Sequence, residues 1–136
     1  MASDPYIIQG WDISSSATNG IDIRNTNAHF IVRNVRVHGQ NQTSGIYLDT
    51  VDNAVIENST ITNHFNALSV VSSNATIAEN RIDSNARYGI YINGRASIKV
   101  SDNTISGNSM HGISTSFCFY CNINITSNTI VSNRYS

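Results

Sequence analysis

Val100-Ser101-Asp102-Asn103-Thr104-Ile105, followed seven residues later by Gly112-Ile113-Ser114-Thr115, is the stretch from which the fold is read. The first block has an apolar residue, two positions, a small or polar residue, one position, and a second apolar residue. It recurs as Ile8–Trp11–Ile13, Val32–Val35–Val37, Ile56–Ser59–Ile61, Ile77–Asn80–Ile82 and Ile125–Asn128–Ile130, with first members 24, 24, 21, 23 and 25 residues apart along the chain. Six copies at nearly one period indicate a stacked repeat, in which each coil buries its apolar face only against its neighbours.

The second block alternates with period two, as a short strand does. Its other copies are Gly20-Ile21-Asp22-Ile23, Gly45-Ile46-Tyr47-Leu48, Ala67-Leu68-Ser69-Val70 and Gly89-Ile90-Tyr91-Ile92. A third strand precedes the first block, at Phe30/Val32, Ala54/Ile56, Ala75/Ile77, Ile98/Val100 and Ile123/Ile125. The pattern predicts an all-β, right-handed, single-stranded parallel β-helix of about six coils of 21–25 residues, with three short strands per coil. Ile8, Val32, Ile56, Ile77, Val100 and Ile125 should form one inward stack. A helical fold fails, because no stretch keeps an i, i+3, i+4, i+7 stripe. Antiparallel sandwiches need no period near 23.

Composition agrees. Nineteen Asn, nineteen Ile and nineteen Ser stand against two Leu, one Pro and one Lys. β-Branched side chains suit strands, and Asn, Ser and Gly suit frequent turns. A net charge of −1 with eight basic residues leaves no electrostatic footprint for nucleic acid. No run of eighteen apolar residues occurs, so membrane insertion is not expected. Residues 1–5 read as a leader or cloning remnant, and 6–136 as a single β-helix domain, which is expected to be either a piece of a longer solenoid or a protein that pairs end to end as a homo-oligomer through its terminal coils.

Asn80, Asn103 and Asn128 share a column, which predicts an amide ladder along the axis in the C-terminal half. Outward charges alternate between rungs: Arg33 under Glu57, Asp12 under Arg36, and Arg24 under Asp49. These are expected to pair across strands, at about 0.2–1 kcal/mol each.

The segments Val100–Asn108, Ile125–Asn133 and Tyr88–Ile92 resemble the coils of the parallel β-helix repeat superfamily. That group includes periplasmic copper-binding β-helices, carbohydrate-binding and sugar-hydrolase β-helices, mannuronan epimerases and pectate-lyase-like enzymes. The likeness spans residues 6–133. It implies a secreted, periplasmic or cell-surface setting and a carbohydrate ligand, on a scaffold that hosts many activities.

Chemistry-bearing residues are few. The Asp-Pro-His-Glu segment of the epimerases is absent, since Asp4-Pro5 continues as Tyr6-Ile7. Glu79 and Asp102 share a column and are candidates for Ca²⁺ or for an acid/base pair, with solvated turn residues as the alternative. Cys118 and Cys121 form a C-x-x-C that reads as a local disulfide, as free thiols, or as half a zinc site with His111 nearest. Tyr47 and Tyr91 occupy one outward column, with Ser69 between them and Asp22 and Ser114 continuing it. Exposed tyrosine stacks on sugar rings and donates a hydrogen bond, so Tyr47, Tyr91, Asp22 and Ser69 are the candidate ligand-binding residues. The expected function is a carbohydrate-binding or display module. Part of a polysaccharide lyase, hydrolase or epimerase, or a structural spacer, are the other two.

Overall fold

A computed structural model describes residues 4–135; residues 1–3 of the expected leader or cloning remnant lie outside the described residues. Fifteen strands wind into a parallel solenoid with three faces. Face 1 holds residues 21–24 of β3 (Ile21–Arg33), 46–49 of β5 (Ile46–Glu57), β7 (Asn66–Val71), β10 (Tyr88–Asn93) and β13 (Ile113–Ser116). Face 2 holds β1 (Tyr6–Gln9), the second halves of β3 and β5, β8 (Asn74–Ala78), β11 (Ser97–Ser101) and β14 (Asn122–Thr126). Face 3 stacks β2 (Asp12–Ser14), β4 (Arg36–His38), β6 (Thr60–Thr62), β9 (Arg81–Asp83), β12 (Thr104–Ser106) and β15 (Thr129–Val131). Faces 2 and 3 thus have six rungs and face 1 has five, which makes five full turns. Three strands per coil is the rule, although β3 and β5 run unbroken around the corner between faces 1 and 2.

The register is the one the repeat predicts. Ile8, Val32, Ile56, Ile77, Val100 and Ile125 pair rung to rung on face 2. Ile13, Val37, Ile61, Ile82, Ile105 and Ile130 do so on face 3. Central members are fully buried, while Ile125 and Ile130 on the last rung are exposed on one side. Alternation with period two sends these side chains inward and their neighbours outward.

Turns need left-handed backbone, and the sequence supplies it in columns. Between faces 2 and 3 it falls at Gly10, Asn34, Asn58, Glu79, Asp102 and Ser127. Asparagine tolerates this region well, and glutamate does so less readily.

The amide ladder forms as expected and does more than pair side chains. Asn103 Oδ1 accepts from both the backbone N–H (2.9 Å) and the side-chain amide (3.0 Å) of Asn80. Asn128 Oδ1 does the same for Asn103. Ser59 heads the column, with its N–H donating to Asn80 Oδ1. A second ladder, which the sequence reading had not drawn, runs through Asn85, Asn108 and Asn133 after face 3.

His64 stands at the head of that second ladder, its N–H donating to Asn85 Oδ1. The ring is fully buried, and neither ring nitrogen has a hydrogen-bond partner among the described residues. Burial holds the imidazole pKa below its ordinary value, opposed in part by the carbonyls of Thr43 and Val37, which face the ring from outside hydrogen-bond geometry. The unfolded chain therefore binds more protons than the folded one as pH falls below about 6.5, and stability drops with it. Urea midpoints measured from pH 7 to pH 5 should fall, whereas His64→Asn, which extends the ladder by one amide, should flatten that dependence. An equal slope in both proteins would rule out His64 as the source.

Candidate functional site

Face 1 carries the predicted column in the predicted order: Asp22, Tyr47, Ser69, Tyr91 and Ser114 pair in register. Tyr47 and Tyr91 are half-buried. Ser69 is not available, being 4% exposed with its hydroxyl 2.6 Å from Ser44 Oγ and accepting from Asn66 Nδ2. Period-two alternation points it outward, but the preceding turns fold over it.

Asp22 is also committed. Its two oxygens accept from Arg24 Nε (2.7 Å) and Nη2 (3.0 Å), and one also takes Asn19 Nδ2. The Arg24 contact is the main cause that holds this carboxyl below the usual range. Arg24 in turn lies over the Tyr47 ring at 4.6 Å, a cation–π contact that fixes the ring. The expected Arg24–Asp49 pair is thereby replaced by one along the strand. Arg33 likewise turns to Gln9 rather than to Glu57. Only Asp12 and Arg36 pair between rungs as expected, at 3.3 Å, with His38 also on Asp12 at 2.7 Å. Residues two apart on one strand lie on the same face, within reach of a long guanidinium, so register alone does not choose the partner.

The metal candidates are scattered. Glu79 and Asp102 occupy adjacent positions of the left-handed turn column, both exposed. Cys118 and Cys121 are joined in a disulfide, which favours that one of the three readings. His111 stands apart from them, in an aromatic stack. Among the described residues no group of three or more His, Cys, Asp or Glu is placed to hold a metal.

That stack is the feature the sequence reading missed. Tyr91 lies on Tyr88 (5.5 Å between centroids), Tyr88 on His111 (6.0 Å), and His111 on Tyr135 (5.5 Å). Arg87 covers both Phe65 and Tyr88, and Arg134 covers Tyr135. The repeat contains the signal, since Tyr88, His111 and Tyr135 each follow a ladder asparagine by two or three residues. Tyr91 thus ends an aromatic and guanidinium strip running up the axis, while Tyr47, two rungs away across Ser69, packs under Arg24. The disulfide pins a further exposed cluster on the corner between faces 1 and 2, with Phe117, Phe119 and Tyr120 at 72%, 82% and 80% exposure.

No curated protein and no solved structure matches the chain. A family model described as a right-handed β-helix region matches residues 2–136. With the parallel three-faced solenoid, this shows that the chain belongs to the right-handed β-helix family.

Proposed function

We propose that this β-helix is a carbohydrate-binding module of a secreted or cell-surface protein, with the glycan lying along the axis over face 1. The observation that carries the reading is the outward pair Tyr47 and Tyr91, the first covered by Arg24 and the second resting on buried Tyr88 at the end of the stack that continues through His111 to Tyr135. Flat rings held rigid by stacking lose little freedom on meeting a sugar face, and phenol hydroxyls add hydrogen bonds. The Cys118–Cys121 disulfide suits an oxidising compartment.

A glycan array probed with and without Ca²⁺ supplies the ligand and tests any need for the ion. The double variant Tyr47→Ala/Tyr91→Ala should then weaken binding about tenfold or more. It should cost only about 0.5–1.5 kcal/mol of stability, through the lost Tyr88–Tyr91 stack. Unchanged affinity in a folded double variant would overturn this reading in favour of a spacer.

A further inference from the structure

The corner between faces 1 and 2 varies in length from coil to coil. Between the column Arg24/Asp49/Val71/Asn93/Ser116 and the column Phe30/Ala54/Ala75/Ile98/Ile123 it spans residues 25–29, 50–53, 72–74, 94–97 and 117–122. It is shortest at 72–74 and lengthens in both directions. Small Ala54 and Ala75 fill the inward positions beside the short corner, where other coils have Phe30 or Ile98, so the chain draws in there. A register shift between Thr26 and His29 marks an irregularity in the longer corner of β3. The result is a saddle, a concavity of about 290 Å³ with Asn74 and Thr76 on its floor. His29, Asp52 and Asn53 line one side, and Ser97 and Lys99 the other.

Three arginines outside the saddle are paired, with Asp22, Asp12 and Asp83. Lys99, the one lysine of the chain, enters none of the ion pairs among the described residues, and neither does Asp52. Thr76 lies directly beneath Lys99 on the outward column, and Asn74 uses its Oδ1 on the Ser97 N–H, keeping Nδ2 as a donor. Polar groups that converge on a concavity and are left without partners are what a polar ligand requires. From the Asp52 rung to the Lys99 rung is two steps, about 10 Å. That reach exceeds a bare oxyanion and suits a small saccharide with an acidic group at one end.

We infer that the saddle is a second binding site, taking an acidic saccharide whose carboxylate or sulfate meets the Lys99 ammonium while its hydroxyls meet Asp52, Asn74 and Thr76. It lies off the Tyr47/Tyr91 column and stands independently of the face 1 reading. The experiment is calorimetric titration of the whole chain with digalacturonate, a sulfated disaccharide, the neutral digalactoside, and inorganic sulfate. Both acidic disaccharides should bind at least about tenfold more tightly than the neutral one, with affinity falling as salt rises. Lys99→Gln should remove that advantage, Lys99→Arg should keep most of it, and Tyr47→Ala/Tyr91→Ala should leave it intact. Equal affinity for acidic and neutral sugars, or no effect of Lys99→Gln, overturns the inference. Inorganic sulfate binding as tightly as the saccharides would overturn the saccharide assignment. Loss in the tyrosine variant alone would overturn the saddle and leave the face 1 reading standing.

Discussion

Replacing Ile82 or Ile105 with aspartate is expected to abolish folding, the largest effect of any single change considered for this chain. Both side chains are fully buried in the face 3 stack, each between isoleucines one rung away. A β-helix core is narrow, and a carboxylate placed there faces apolar side chains on the rungs above and below. Leaving it ionised without a partner costs more than a domain's usual margin of about 5–15 kcal/mol, so the group would protonate or the coil would open. Ile130→Asp, on the last rung and 37% exposed, is the graded control and should be far milder. Far-UV circular dichroism and limited proteolysis report the outcome. Either central variant melting cooperatively near the wild-type temperature would contradict its inward placement.

Asn103→Ala comes second. Its removal strands the Asn80 N–H and takes one of two partners from the Asn80 side-chain amide, the Ser101 carbonyl and Asn128 Oδ1, along with the amide that meets the Ile77 carbonyl. Buried groups left unmade cost about 1–3 kcal/mol each, and relaxation spares some of them, so the total should be on the order of 4 kcal/mol. Asn58→Gly is the comparison, because Asn58 has a φ of 46° that alanine adopts only with strain and glycine adopts freely. Asn58 pairs with Asn34 at 2.7 Å in the same region of the coil, but in solvent, and the lost side-chain bond should cost less than about 1 kcal/mol. Urea unfolding of the two variants separates them. Equal and small costs would mean that the turn does not depend on its amides.

Much of this was legible from the residues. Two periodicities are written into the chain together, alternation along each strand and recurrence near 23 residues, and their combination fixes which side chains stack. That is why the face 2 and face 3 stacks and the Asp22–Tyr47–Ser69–Tyr91 column needed no coordinates. The second ladder is written in the chain too, since Asn85, Asn108 and Asn133 each lie three residues after an inner isoleucine. Charge pairing was legible at Asp12 and Arg36 but not at Arg24, which has a carboxylate both along its strand and across it. Nor was the fate of Ser69, which depends on how turns lie over the face. The saddle follows from differences in corner length, and these carry no distinctive residue type.

Both amide ladders share one polarity. In each, an asparagine reaches toward the coil that precedes it: Asn80 to Ser59 and Ile56, Asn103 to Asn80 and Ile77, Asn128 to Asn103 and Val100. The second column repeats this, from Asn85 to His64 and from Asn108 to Asn85. A ribosome delivers these coils in the opposite sense, the earlier one first. Each coil's turn N–H therefore gains its acceptor only from the coil made after it, so cutting the chain back by one coil should leave a new last turn uncapped.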